Sequence, residues 1–177
     1  MQLFAEQGFA ATTVPQIAAH AGLTTRTFFR HFADKREVLF GDGEIPAYAA
    51  ALMRDAPADL DPLALVGERL RIVADAVFAG RRAEVRQVRS IIATDEALQE
   101  RDLRKRAALA EAVRLGFEDR GEPPLRAALL GDLAVSVLHV AFDRWLDDPA
   151  ADADARPLGD VIDEVLAASA GLLASAR

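Results

Sequence analysis

The stretch Thr13–Phe40, TVPQIAAHAGLTTRTFFRHFADKREVLF, decides the fold of this chain. Thr13 is a suitable N-cap for a first helix, because its side chain can accept a hydrogen bond from an amide that has no intrahelical partner. Gly22 follows the last apolar residue of that helix and can turn the chain without a steric penalty. Leu23, inside the turn, is expected to be buried. Thr24 can then cap a second helix, so the stretch predicts two short helices joined by a glycine turn.

The second predicted helix has two unlike faces. Phe28 and Phe32 are four residues apart and are expected to face the core. The opposite side carries polar and basic side chains together with one aromatic ring: Thr25, Arg26, Phe29 and Arg30. Asp34 can cap a third helix, whose first turn would carry Lys35 and Arg36. Helical hairpins are common, but this arrangement is also that of a helix-turn-helix, which places its second helix in the major groove of DNA.

Ungapped matches at fixed spacing run through the whole stretch, at Thr13, Ile17, Ala18, Ala21, Gly22, Leu23, Thr24, Thr27, Phe28, Phe29, His31, Phe32 and Lys35. With them the segment resembles the DNA-binding domain of TetR-family transcriptional regulators. The resemblance implies phosphate contacts from Thr13, His31 and Lys35. It places Thr25, Arg26, Thr27 and Arg30 at or near base edges, and Thr24 and Phe29 complete the predicted DNA-binding set. An arginine in the major groove can bind guanine through two hydrogen bonds, and Arg26, followed by Arg30, is the best candidate.

The chain departs from the family pattern at two points. Phe29 stands where the family usually has tyrosine, so a hydroxyl that could contact phosphate is missing and only packing against the DNA backbone remains. The family's first helix normally begins upstream of the position of Met1. A truncated first helix, or a weakened DNA binder, is therefore expected.

The composition predicts an all-α protein. Of 177 residues, 51% are hydrophobic and only 6% aromatic. The chain has no cysteine, which excludes disulfides, thiolate redox sensing and zinc fingers. We find no apolar run suited to a membrane and no leader peptide, so a cytoplasmic location is expected. The net charge is −7, but Thr24–Arg36 carries four basic residues and one acidic residue, which suits a basic DNA-reading tip on an acidic body.

The pattern changes after Phe40, which divides the chain into a helix-turn-helix domain at 1–40 and a helical ligand-binding and dimerisation domain at 41–177. The second part predicts helices at Ala47–Met53, Leu63–Ala79, Ala83–Ala93, Glu96–Asp119, Pro124–Leu146 and Leu158 to about Ser175. An acidic surface loop, Asp147–Arg156, joins the last two.

Those last two helices predict a homodimer. The segment Leu129–Leu146 is apolar on nearly all sides, and a helix of that kind must be covered all round. The final helix carries a second broad apolar stripe. A two-fold four-helix interface would cover both, whereas in a monomer one core would have to take both faces. TetR-like proteins dimerise through their last two long helices, so the resemblance favours the dimer.

A regulator also needs an effector site, although apolar residues are more often plain core than ligand wall. The predicted pocket is lined by Val77, Phe78, Val88, Arg89, Ile92, Arg101, Lys105, Leu109, Leu138, His139, Phe142 and Trp145. The run from Arg86 to Val113 is similar to a TetR subgroup described as acyl-CoA-like ligand binding, which includes mycofactocin-system regulators. This looser resemblance implies a small hydrophobic or acyl-type effector, with Arg89, Arg101 and Lys105 at the mouth of the cavity meeting its phosphates.

These observations predict a homodimeric regulator that binds double-stranded operator DNA. The resemblance implies a repressor, as is usual in the family. The effector would release it from DNA through a population shift. Coupling would pass through the helix that starts near Asp34. Two alternatives stay open: a dimeric helical ligand-binding module with impaired DNA binding, and an all-helical enzyme. His139 and Asp143 lie one turn apart, but no third metal ligand and no catalytic site is evident, so neither cofactor nor metal is predicted.

Overall fold

The computed structural model describes residues 1–40, 45–57, 59–149 and 156–174. Every regular element in these ranges is helical, as predicted. The helices are α1 (Gln2–Gln7), α2 (Val14–His20), α3 (Thr25–His31), α4 (Glu37–Phe40), α5 (Ile45–Arg54), α6 (Pro62–Val73), α7 (Arg82–Ala93), α8 (Glu96–Asp119), α9 (Pro124–Asp147) and α10 (Leu158–Ala174).

The long helices begin and end close to where the sequence predicted them, because their ends carry local signals. Asp95 accepts a hydrogen bond from the Leu98 amide at 3.0 Å and caps α8. Pro124 opens α9, where its missing N–H has no consequence. The predicted helix Leu63–Ala79 divides into α6 and a π-helical turn at Ala74–Phe78. The parts of the predicted Asp147–Arg156 loop at 150–155 and of the last helix at Ser175 lie outside the described residues.

The first of two compact units comprises Met1–Glu44 and Glu84–Lys105. Its hydrophobic core joins Phe4, Phe9 and Phe40 to Ile91 and Leu98, which come from α7 and α8. The helix-turn-helix segment is thus only part of this unit. The sequence placed the boundary after residue 40, but residues 84–105 complete the apolar core around the three phenylalanines.

The second unit comprises Ile45–Ala83 and Arg106–Arg177, and α6, α9 and α10 pack against one another in it. Its fully buried side chains include Leu65, Val137 and Ile162. A glycine allows a close approach between α9 and α8: a Cβ at Gly131 of α9 would lie 2.5 Å from the carbonyl oxygen of Ala110 in α8. Small residues at this crossing therefore set how near the two helices come.

Among the described residues, α9 alone is long and apolar enough to cross a membrane by length and composition. This corrects the expectation that no run in the sequence meets that test. A core helix of a globular protein meets it equally well. One face of α9 is buried within the second unit, through Ala127, Leu130, Gly131, Ala134, Val137, Ala141 and Trp145.

Candidate nucleic-acid interface

A reciprocal capping box fixes the start of α2. The Thr13 side chain accepts from the Gln16 amide, and the Gln16 side chain accepts from the Thr13 amide at 2.8 Å. Thr13 was predicted as the cap. Gln16 was missed, although a threonine followed three residues later by glutamine is the sequence signal for this arrangement. The Thr13 side chain is exposed at the edge of the unit.

The turn between α2 and α3 has the predicted conformation at Gly22 but not the predicted burial. Gly22 adopts φ of 68°, a left-handed conformation that favours glycine. Leu23 donates its amide to the carbonyl of Ala18 at 2.8 Å, yet its side chain is 45% exposed. The expectation that Leu23 is buried was therefore wrong: the short turn fixes its backbone and leaves half of the side chain open.

Helix α3 separates an aromatic inner face from a polar outer face, as predicted. Phe28 is 2% exposed, and its ring centroid lies 5.2 Å from that of the half-buried Phe32. On the outer face Phe29 is 54% exposed and meets Phe28 only edge-on. The other exposed side chains of this helix are Thr25, Arg26, Arg30 and His31. The outer face therefore presents two guanidinium groups, a hydroxyl, an imidazole and an uncovered aromatic ring.

Two of the predicted DNA-binding threonines take part in the cap of α3. The Thr24 side chain accepts from the Thr27 amide at 3.1 Å, and their hydroxyl oxygens lie 3.0 Å apart. Thr24 is exposed and Thr27 half-buried. Both residues hold the first turn of α3, so their free hydrogen-bonding capacity is smaller than that of Thr25.

The Lys35 ammonium does not lie where its predicted phosphate contact would place it. Helix α4 begins only at Glu37, and Asp34 accepts from the amides of Arg36 and Glu37 in the turn before it. The Lys35 ammonium donates to the backbone carbonyls of Phe9 at 2.7 Å, Thr12 at 2.8 Å and Ala10 at 3.2 Å. It also lies 4.4 Å from the centroid of the Phe9 ring. All three N–H donors therefore face the protein, which corrects the expectation that Lys35 points to a phosphate.

Arg101 and Lys105 are also placed differently from the prediction. Arg101 forms ion pairs with Asp34 at 3.5 Å and Glu37 at 3.7 Å and lies over the Phe40 ring. Lys105 donates to the carbonyl of Phe40, the last residue of α4. Both cations thus fasten α8 to α4 and its cap within the first unit. The prediction that both cations meet the phosphates of an effector did not consider these carboxylates and this carbonyl as partners.

The remaining predicted effector residues divide between the two units. Val88, Arg89 and Ile92 belong to the first unit; Val77, Phe78, Leu109, Leu138, His139, Phe142 and Trp145 belong to the second. In the second unit the structure brings together an aromatic row, with Phe78 and Phe142 at 4.8 Å between centroids and Phe142 and Trp145 at 6.3 Å. The predicted set is therefore shared between the two units.

Two cavities in the described part of the chain are bordered by residues outside the predicted effector set. An apolar one of about 230 Å³ in the first unit is bordered by Phe4, Ile17, Leu23, Phe28, Phe32 and their neighbours. A polar one of about 380 Å³ in the second unit is bordered by Arg144, Asp147, Asp148, Arg156 and Val161. Within the described ranges no group of three or more His, Cys, Asp or Glu side chains could hold a metal ion.

Sequence reasoning also missed a buried arginine in the second unit. Arg82 is 2% exposed, and its guanidinium donates to the carbonyls of Trp145 at 2.8 Å, Leu146 at 3.4 Å and Asp148. These carbonyls end α9, where the last C=O groups have no intrahelical partner and the helix dipole favours a cation. In the sequence Arg82 is one of a run of arginines and carries no signal of burial.

Comparison with known proteins agrees with the geometry of α2 and α3. Residues 1–40 match the family model described as bacterial regulatory proteins, tetR family. The chain is also 40% identical over 81 residues to the HTH-type transcriptional regulator TcmR of Streptomyces glaucescens. That match covers 45% of this chain and 36% of the relative, so the chain spans about a third of that protein's length in the alignment. With the capped α2, the glycine turn and the two-faced α3, these matches show that the N-terminal part of the chain is similar to the TetR family of bacterial regulatory proteins.

Proposed function

We propose that the chain is a cytoplasmic transcriptional regulator that reads operator DNA with the outer face of α3. The observation that carries this proposal is the exposure of Arg26, Phe29 and Arg30 on the side of α3 opposite the buried Phe28. A helix that buries one aromatic face and leaves its basic face uncovered is suited to the major groove, where arginine can bind guanine through two hydrogen bonds.

The roles proposed for the residues of this surface rest on the family resemblance together with their chemistry. Arg26 and Arg30 contact base edges, with Thr25 beside them. The exposed hydroxyl of Thr13 and the imidazole of His31 contact phosphates. The Phe29 ring carries no hydrogen-bonding group and packs against the DNA backbone. Because most affinity for DNA comes from phosphate contacts, this binding is expected to weaken steeply with salt.

The test is binding of the purified chain to the DNA upstream of its own gene, by fluorescence anisotropy at several salt concentrations. Arg26→Ala should lower selective affinity by about tenfold or more, the loss expected from one bidentate base contact. Arg126→Ala removes the same charge from an exposed position of α9 and serves as the matched control. Binding that is weak, equal on every duplex and unchanged by Arg26→Ala would refute the proposal and favour a ligand-binding module that does not read DNA.

We also propose that the chain acts as a homodimer through α9 and α10. The support is a row of uncovered apolar side chains on α9, namely Leu125, Leu129 and Val140, together with Leu172 on α10. Apolar side chains exposed along one helix stripe favour association with a second copy. Two copies would present two α3 helices to successive major grooves of operator DNA.

The dimer can be tested with two leucines of equal exposure. Leu129 of α9 and Leu103 of α8 are each 62% exposed. Leu129→Arg should shift the chain to a monomer in sedimentation equilibrium, whereas Leu103→Arg should not. Equal behaviour of the two variants would exclude α9 as the interface.

The regulation is proposed to be repression relieved by a small hydrophobic or acyl-type effector. Its support in the second unit is the aromatic row Phe78, Phe142 and Trp145 beside the π-helical turn Ala74–Phe78. Turns of this type are rare and occur often at functional sites. A series of acyl chains should quench Trp145 fluorescence and weaken operator binding by the same factor by which DNA weakens acyl binding. Ligands that bind tightly and leave DNA affinity unchanged would refute this regulation.

A further inference from the structure

The partners of Lys35 lie far from it in the sequence. Its ammonium binds three carbonyls of the turn Phe9–Thr12, which joins α1 to α2, while Lys35 itself belongs to the turn between α3 and α4. The two turns therefore enclose the helix-turn-helix on both sides. One side chain ties the entry of α2 to the exit of α3.

The turn that Lys35 binds is otherwise held by a buried hydroxyl. Thr12 is fully buried, donates its hydroxyl to the carbonyl of Gly8 at 2.7 Å and accepts from the Gln7 side chain at 3.1 Å. The next residue, Thr13, caps α2. The position of the carbonyls bound by Lys35 thus sets where α2 begins.

We propose that Lys35 is a positioning residue of the DNA-reading surface and does not itself contact phosphate. It fixes the start of α2 against the corner that follows α3, and so sets the angle at which Arg26 and Arg30 are presented. This role rests on the proposed DNA-binding function. Reaching a phosphate would require the ammonium to leave all three carbonyls and the face of the Phe9 ring.

The positioning role and the phosphate-binding role of Lys35 can be distinguished by changing the shape of the cation. The three N–H groups of an ammonium spread as a tripod and can meet three converging carbonyls, whereas a guanidinium is a planar fork. A fork binds phosphate at least as well as an ammonium does. Lys35→Arg therefore preserves a phosphate contact but not the tripod of carbonyl bonds.

The experiment measures the affinity of the whole chain for its upstream DNA and for an unrelated duplex, across a salt series and well below the melting temperature. Lys35→Arg and Lys35→Met are both expected to lower selective affinity by about tenfold or more, as displacement of one base contact would. Non-selective affinity and the slope of log K against log salt should stay unchanged, because no phosphate contact is removed. Arg36→Met, an exposed neighbour paired with Asp34, controls for the loss of one positive charge.

Four outcomes would overturn the proposal, and they are distinguishable. A phosphate role predicts that Lys35→Arg binds as the wild type does, while Lys35→Met weakens both duplexes and lowers the salt slope by about 0.9 per subunit. A merely structural role predicts a lower melting temperature with both affinities of the folded protein unchanged. A wild-type chain that binds no duplex would remove the proposed function as well. In DNA-free protein, slow exchange of the Lys35 ammonium protons in ¹H–¹⁵N spectra reports the carbonyl bonds directly, and fast exchange would contradict them.

Discussion

Removal of the buried guanidinium of Arg82 should destabilise the second unit more than any other single change of charge in it. Arg82→Met keeps the length of the aliphatic stem and removes the donors that meet the last carbonyls of α9. The carbonyl of Trp145 belongs to a buried residue, whereas Leu146 and Asp148 are half-buried and water can partly replace their bonds. The first bond therefore dominates the loss.

The magnitude follows from that division. A hydrogen bond from a charged donor contributes about 1.5–3 kcal/mol, and a buried acceptor left without a partner costs about 1–3 kcal/mol. A total near 3 kcal/mol is expected, because hydration offsets part of the other two bonds. For a chain of this length each kcal/mol corresponds to about 2–4 °C in Tm, so the variant should melt about 6–12 °C lower. Lys in place of Arg82 should recover only part of this, since one ammonium cannot span the same acceptors as the fork.

The assay is thermal unfolding followed by circular dichroism, with Arg81→Met as the matched control. Arg81 is the exposed neighbour, and its guanidinium donates to the carbonyl of Val77 at 3.0 Å in contact with solvent. Its removal should change stability by no more than about 0.5 kcal/mol. If Arg82→Met melts within 2 °C of the wild type, as estimated for a surface substitution, or if the two variants melt alike, the reasoning is refuted.

Further predictions concern helix packing and pH. Gly131→Ala should destabilise the protein by about 1–3 kcal/mol in urea unfolding, because the new methyl group would lie 2.5 Å from the backbone oxygen of Ala110. Gly171→Ala, with nothing within 4 Å of its Cβ, should stabilise α10 by about 0.5–1 kcal/mol, and equal effects of the two changes would contradict the packing argument. The hydrogen bond from Arg156 holds the pKa of Glu164 below its ordinary value of 4.5. Stability from this carboxylate is therefore present above about pH 4.5 and lost as the pH falls through the lowered pKa, so the stability difference between wild type and Glu164→Gln should be constant near neutrality and shrink in acid. A difference that stays constant down to pH 3 in urea titrations would contradict this assignment.

Local signals made α3, the helix of the proposed DNA-binding face, predictable from the sequence. Thr13 and Thr24 cap their helices by accepting hydrogen bonds from amides three residues later in the chain. Gly22 turns the chain by adopting a left-handed φ. Phe28 and Phe32 meet because residues four apart share a helix face. Each of these contacts lies within one turn of chain, so periodicity and residue type are sufficient to find it.

The sequence was a poorer guide to cations, because composition shows that a charge exists but not which partner it meets. Lys35 and Arg101 were both assigned to phosphates. Lys35 instead binds carbonyls more than twenty residues upstream, and Arg101 binds carboxylates of α4 and of the turn before it. The predicted effector residues are divided between the two units for the same reason. Helical periodicity gives the apolar face of α7 or α8, but not the core that this face joins.

The sequence by itself determined that the chain is helical, close to where its long helices begin and end, and that the outer face of α3 is basic. Only the tertiary structure decided that residues 84–105 complete the core around Phe4, Phe9 and Phe40, that Lys35 faces the protein, and that Arg82 is buried at the end of α9. The physical reason is the distance along the sequence over which each kind of interaction acts. Capping, turn conformation and helical periodicity act over at most four residues, whereas these three contacts join segments 26 to more than 60 residues apart and form only when separate helices have packed.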